Sequence, residues 1–210
     1  MRTSSDGLLV LFLKGGAAVF QFLLLVLTAR WFGVTFRGEI ALFGAAVNLV
    51  VLVVGFTGGI SIVYLAARDP DRETLRRLLE ISYAFCLLVP AGVALGSQGL
   101  RVSLGPHLPQ LLCVATLNAM LVVHMSVLLA GQAVWQATLL EFLRPFSIVV
   151  LAIAVLVTRG FHEPSEFYLV WVIAAGAAWL LSLPLVVAHY RRLPARVSGD
   201  VDLAGYRLVG

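Results

Sequence analysis

Long apolar runs, separated by short charged or Gly- and Pro-containing breaks, account for nearly the whole chain. The runs predict six helices, over residues 8–32, 40–66, 78–96, 108–131, 139–158 and 166–190. Each run is close to the roughly 20 residues that a helix needs to cross the hydrocarbon core of a bilayer. The pattern therefore predicts an all-α integral membrane protein, with a six-transmembrane-helix bundle over residues 1–196.

The breaks contain residues that end or kink helices. Pro70 interrupts the most charged stretch, residues 68–77, where Asp69 or Asp71 is placed to cap the helix that follows. Pro90 and Pro145 lie inside apolar runs and predict kinks, which membrane helices tolerate when neighbours satisfy the freed carbonyl. The tail, residues 197–210, is interpreted either as a cytoplasmic tail or as the start of a truncated further segment.

Composition supports a membrane location for the whole chain. Hydrophobic residues make up 60% of the sequence, the mean hydropathy is +0.99, and charged residues make up 12%. That charged fraction is about half of the roughly 25% found in soluble domains. Six spans with short loops leave no room for a soluble catalytic domain.

The positive charges are distributed unequally between the two ends of the predicted bundle. One end would carry Arg2, Arg68, Arg72, Arg76, Arg77, Arg191, Arg192 and Arg196, and the other Arg30, Arg37, Arg101 and Arg159. The richer side is expected to be cytoplasmic, so both termini are predicted inside. Arginines placed this way report membrane orientation, and we expect no nucleic-acid partner.

Signatures of enzymes are missing from the sequence. There is no phosphate-binding Gly-rich loop, no His/Cys cluster with metal spacing and no Gly-x-Ser-x-Gly motif. Asp69-Pro-Asp71 is the only close aspartate pair and is interpreted as part of a solvated loop. The alternative, a metal-binding motif of a small membrane enzyme acting on polyprenyl lipids, lacks its second acidic motif. We therefore expect no enzyme, no cofactor and no metal.

Polar residues inside the predicted spans are the candidates for function, because hydrocarbon penalises them. Lys14, Gln21 and Thr28 follow each other at seven-residue steps and share one side of the first helix. Their face should meet other helices or a watery cavity, with Lys14 and Gln21 binding an anionic substrate. Alternatively, Lys14 extends to the cytoplasmic headgroups.

Other intramembrane residues have structural and functional interpretations. Arg144 can pair with Glu141 three residues earlier, or it lines a cavity as a substrate-binding cation. His124 and Asn118 are predicted to form interhelical hydrogen bonds, with proton coupling by His124 as the alternative. Gly55 and Gly59 form a GxxxG spacing that favours close helix packing.

Several stretches of the sequence resemble bacterial polysaccharide flippases. The segments are Leu27-Thr-Ala-Arg-Trp-Phe-Gly33 with Arg37-Gly-Glu-Ile-Ala-Leu-Phe43, Gly55-Phe-Thr-Gly-Gly-Ile-Ser-Ile-Val-Tyr-Leu-Ala-Ala-Arg68, and Leu129-Ala-Gly-Gln with Glu141-Phe-Leu-Arg-Pro145. They are similar to the O-antigen type of flippase within the multidrug/oligosaccharidyl-lipid/polysaccharide exporter superfamily. The resemblance covers nearly all of the chain.

The resemblance implies a fold and a function. Family members have two six-helix lobes around a central cavity, and this chain resembles the N-terminal lobe only. The implied function is transport: flipping of a polyprenyl-pyrophosphate-linked oligosaccharide across the bacterial inner membrane during cell-surface polysaccharide biosynthesis. The expected partners are the lipid-linked oligosaccharide, the membrane, and a missing second lobe or partner subunit. A non-transporting membrane assembly subunit is the alternative.

Overall fold

The computed structural model describes residues 3–68, 71–99, 107–161 and 163–193, and these are almost entirely helical. The elements are α1 (Thr3–Val54), a π-helical turn (Gly55–Gly59), α2 (Ile60–Arg68), α3 (Arg72–Gly99), α4 (Leu108–Ala130), α5 (Val134–Thr158) and α6 (Pro164–Arg192). The described residues contain no strand. Arg2, Arg101, Arg196 and the tail at 197–210 lie outside the described residues.

Six helical segments of the described chain are long and apolar enough to cross a membrane, so the protein is a multi-pass membrane protein with an all-α bundle. We call them the first to sixth spans: Gly7–Gly33, Arg37–Ala66, Arg72–Gly96, Leu108–Ala130, Val134–Thr158 and Ser165–Arg192. The first two belong to one continuous α1, which kinks at Gly33. Gly33 has φ 71° and ψ −175°, a conformation that residues with a Cβ rarely adopt.

Three helices begin five or more residues earlier than their apolar runs predict, and the first of them starts at Thr3 instead of residue 8. The third starts at Arg72 instead of residue 78, because Asp71 caps it: its carboxylate accepts hydrogen bonds from the Thr74 N–H (2.7 Å) and hydroxyl (2.9 Å). The first turns are then polar and carry i,i+3 and i,i+4 ion pairs between Glu73 and Arg76 or Arg77. The fifth starts at Val134 instead of residue 139. Charged and amphipathic first turns extend these helices beyond the hydrocarbon core.

The fourth span is the central helix of the bundle. Most of its side chains are buried, whereas the first span buries few. The second span packs on the sixth, where Phe43 stacks on Tyr168 with ring centroids 4.3 Å apart. The first span packs on the fifth, where Phe20 meets Phe142 and Phe146 edge-on at 5.6 and 5.1 Å. The first span is thus held along one side and is open along the other.

The start of the third span and the end of the sixth meet at one end of the bundle. The Arg72 side chain donates hydrogen bonds to the carbonyls of Leu193 (2.8 Å) and Arg191 (2.7 Å). These contacts bring together arginines that the charge count assigned to one side of the membrane. We call this the basic end, and we keep it as the predicted cytoplasmic end.

The π-helical turn sits where the second span approaches the third and fourth most closely. A Cβ placed on Gly58 would lie 2.9 Å from Ser82 Oγ and 3.1 Å from Ser82 Cβ. A Cβ on Gly59 would lie 2.8 Å from Ser126 Oγ. A Cβ on Gly55 would meet Val122 Cγ1 at 3.7 Å, which is an ordinary contact. The close approaches are therefore at Gly58 and Gly59.

We expect Gly58→Ala to lower the free energy of unfolding by about 1–3 kcal/mol, since the added methyl must push Ser82 and its helix aside. Gly55→Ala, in the same turn but with space for a methyl, is the matched control and should change it by less than about 0.5 kcal/mol. Thermal or SDS unfolding of the purified protein in detergent measures both. Equal effects of the two substitutions would contradict the close-packing account.

Candidate functional site

A buried polar cluster centred on His124 joins three spans. The Tyr83 hydroxyl on the third span hydrogen-bonds to His124 Nε2 on the fourth. His124 Nδ1 lies 2.5 Å from Ser182 Oγ on the sixth, and Ser182 donates in turn to the Trp179 carbonyl. The His124 side chain is fully buried. The predicted interhelical hydrogen bonding of His124 is confirmed.

The donors and acceptors of the cluster fit one arrangement of hydrogens. Ser182 gives its hydrogen to the Trp179 carbonyl, so its oxygen accepts the hydrogen on His124 Nδ1. His124 Nε2 is then the acceptor for the Tyr83 hydroxyl. This arrangement is the neutral imidazole, with a chain of donors running from Tyr83 to Trp179. Each ring nitrogen of His124 therefore has one partner. These two hydrogen bonds, in apolar surroundings, link the third, fourth and sixth spans.

The second span reaches the same region through its π-helical turn. Ser82 precedes Tyr83, and Ser126 follows His124 by two residues, and these serines are the neighbours of Gly58 and Gly59. The Trp179 ring stacks near His124 at 6.4 Å between centroids. Four of the six spans therefore converge here. His124 is six residues from the end of the fourth span, about 9 Å along the helix, so the cluster lies in the half of the bundle toward the basic end.

The predicted polar stripe of the first span divides between two environments. Thr28 is buried and donates back to the Leu24 carbonyl at 2.8 Å. Lys14 and Gln21 are exposed on the bundle surface. Neither has a hydrogen bond or ion pair to another described side chain. Thr28 therefore has a local structural role, while Lys14 and Gln21 are exposed at the surface of the described bundle.

Arg144 lies near the middle of the fifth span and is half-buried. It shares a helix face with Ala137, Leu140 and Ile148, which are buried, and not the face of Phe142 that packs on the first span. No ion pair to Glu141 forms within 4 Å in the described chain, although the Glu141 carboxylate still attracts the Arg144 guanidinium electrostatically from a greater distance. No contact brings Arg144 together with Lys14 or Gln21.

Of two further predictions, the one for Asn118 is wrong, and the capping role predicted for Asp69 or Asp71 is confirmed for Asp71. Asn118 donates to the Val114 carbonyl of its own helix at 2.8 Å, and its Oδ1 has no partner among the described residues, so the interhelical bond predicted for it is wrong. Both oxygens of Asp71 serve the helix cap at Thr74. Asp69 and Pro70 lie outside the described residues. No group of three or more potential metal ligands occurs among the residues that the structure describes.

Five residues of this region were not predicted from the sequence: Tyr83, Ser182, Ser82, Ser126 and Gly58. All are polar or small residues inside apolar runs, and that was the available signal. Small hydroxyl residues in membrane helices often bond back to their own carbonyls, as Ser126 does to Val122 at 2.9 Å, so their presence alone does not identify a cluster. Which helices face each other, and in which register, decides the partners.

Comparison with known proteins adds no family to this picture. No protein-family model, curated protein or solved structure matches the chain. The resemblance to polysaccharide flippases therefore rests on the residues of this sequence, and the function is a proposal based on the side chains.

We expect Tyr83→Phe to lower the free energy of unfolding by about 1 kcal/mol, since it leaves His124 Nε2 buried without a donor. Tyr64→Phe is the matched control, because Tyr64 is exposed and makes no hydrogen bond among the described residues. A double-mutant cycle of Tyr83→Phe with Ser182→Ala in detergent should give a coupling of about 0.5–1.5 kcal/mol through the shared imidazole. Strict additivity would mean that the two bonds act independently of His124.

Proposed function

We propose that the chain is one lobe of a membrane transporter that flips a polyprenyl-pyrophosphate-linked oligosaccharide across the bacterial inner membrane. The observation that carries the proposal is the position of Gln21 and Lys14 on the open side of the first span. In a two-lobed transporter this side would face the central cavity. The described helices leave it uncovered.

The depth of Gln21 argues against a lipid-facing position. It is 14 residues from the start of the first span, which is about 21 Å along the helix and close to the bilayer centre. A primary amide there has neither water nor headgroups within reach, and burying it unpaired in hydrocarbon costs several kcal/mol. Lys14 lies two turns nearer the end and is within snorkelling distance. Gln21 is therefore the stronger indication that this face meets a watery cavity or another protein.

Arg144 adds a second polar group at membrane depth. It is ten residues, about 15 Å, from the start of the fifth span, and its guanidinium has no hydrogen-bond acceptor among the described residues. An ionisable group at this depth is expensive and marks a functional site by default. A guanidinium binds phosphate oxygens through paired hydrogen bonds, and the low dielectric strengthens that attraction. These properties suit the pyrophosphate of the proposed cargo.

In the proposed mechanism, these groups bind different parts of the cargo. The oligosaccharide and pyrophosphate would enter a cavity between this lobe and a second one, while the polyprenyl chain stays in lipid. Lys14 and Arg144 would offset the charge of the pyrophosphate, and Gln21 would hydrogen-bond to the polar cargo. Rocking of one lobe against the other would expose the cavity to each side in turn.

We expect Lys14→Ala and Arg144→Gln each to lower export at least about ten-fold, because each removes one charge-assisted contact worth roughly 1.5–3 kcal/mol. Lys14→Arg keeps the charge and should retain most of the export. Arg76→Gln, an exposed arginine at the basic end, is the control. Surface glycan in cells whose own copy carries each variant gives export, and immunoblots of membranes give the protein level.

Normal export by Lys14→Ala at normal protein level would exclude the role given to Lys14. A different pattern would favour a non-transporting assembly subunit. If the chain is such a subunit, surface glycan would be unaffected by Lys14→Ala, Arg144→Gln and Lys14→Arg. A crosslinker on Gln21→Cys would then capture a different membrane protein in stoichiometric amount. Crosslinking to a second six-helix lobe, together with lost export, supports the transporter.

A further inference from the structure

A groove of about 680 Å³ lies on the outside of the bundle between the second and fourth spans. It is lined by Gly55, Gly59, Ile60, Val63, Tyr64, Arg68, Ser126 and Leu129. The walls are apolar, and the one serine hydroxyl in the lining is satisfied by the Val122 carbonyl at 2.9 Å. The groove is separate from Lys14, Gln21 and Arg144, none of which lines it.

The length of the groove matches one leaflet of a bilayer. From Gly55 to Arg68 the second span advances 13 residues, about 20 Å. Half of the hydrocarbon core is about 15 Å, so a groove of this length runs from the headgroup level to near the bilayer centre. Arg68 ends α2 and stands at the mouth. Tyr64, one turn deeper and exposed, lies where amphipathic rings meet the headgroups.

Arg68, at the mouth of the groove, differs from the other described arginines of the 68–77 stretch because no protein group pairs with its guanidinium. Arg72 is engaged by the carbonyls of Leu193 and Arg191. Arg76 and Arg77 both pair with Glu73. Arg68 forms no ion pair or side-chain hydrogen bond in the part of the chain that the structure describes. An apolar groove that ends at an unpaired cation is complementary to a hydrocarbon chain that ends at an anion.

We propose that this groove binds one acyl chain of an anionic phospholipid, whose phosphate is held by Arg68. The Gly55–Gly59 turn provides the deep end of the groove, since two of its glycines line it without side chains. Tyr64 and Leu129 flank the part of the chain nearest the headgroup. The proposal does not depend on the transport function, because it uses none of the residues assigned to the cargo.

The test is lipid retention by the full chain in nanodiscs of equal phosphatidylglycerol and phosphatidylethanolamine, extracted mildly and analysed by native mass spectrometry. We expect one retained phospholipid per chain and an about five-fold preference for phosphatidylglycerol. This is the preference that the attraction between one arginine and an anionic headgroup would produce. Arg68→Gln should abolish the preference. Arg77→Gln, an exposed arginine of the same loop that is already paired, should preserve it.

A second pair of variants tests the groove itself. Leu129→Trp fills it from the fourth span and should remove the retained lipid. Leu180→Trp adds the same side chain to an exposed site on the sixth span and should leave the lipid in place. The proposal is overturned if no lipid is retained, if both lipids are retained equally, or if Arg68→Gln keeps the preference. Membranes from the native host that yield a retained polyprenyl phosphate in place of a phospholipid would also overturn it.

Discussion

Hydrocarbon offers no hydrogen bonds, so every polar group inside the bilayer must find its partner within the protein. The backbone meets this requirement by forming helices throughout the described spans. Hydroxyl side chains meet it by bonding back to the preceding turn, as Thr28 does to Leu24 and Thr138 to Val134. His124 cannot do so with a two-sided ring, and it therefore links Tyr83 and Ser182 across three spans. The central position of the fourth span follows from this pairing as well as from apolar packing.

The same constraint separates structural polar residues from candidate functional ones. Within the described chain, each ring nitrogen of His124 has a hydrogen-bond partner, whereas the neighbouring Trp179 Nε1 has none. Gln21 and Arg144 are at similar depth and have no such partners. A protein stabilised only by its own contacts would gain nothing from keeping them there. Their open hydrogen-bonding capacity is explained if a cargo, a cavity or a second protein completes it, which is the basis of the proposed function.

The sequence was sufficient to predict six spans, because apolar length is a direct record of bilayer thickness. It was less informative about where helices begin, since Asp71 and Glu73 extend the third helix through capping and ion pairs and not through hydropathy. His124 could be identified as an interhelical group from its chemistry alone. Tyr83 and Ser182 could not, because they are 41 and 58 residues away and meet it only through the packing of three helices.

The π-helical turn shows how the second span stays in register with the bundle. The buried residues of the second span continue through the turn at four-residue steps, from Val54 through Gly58 and Ile62 to Ala66. In an unbroken α-helix, those 12 residues would rotate the buried stripe by about 120° away from the fourth span. A π-turn takes more residues per turn and so cancels part of that rotation. The turn thereby keeps Gly58 and Gly59 against Ser82 and Ser126 beside the His124 cluster, and Gly55 and Gly59 of the same turn line the groove on the outside of the bundle.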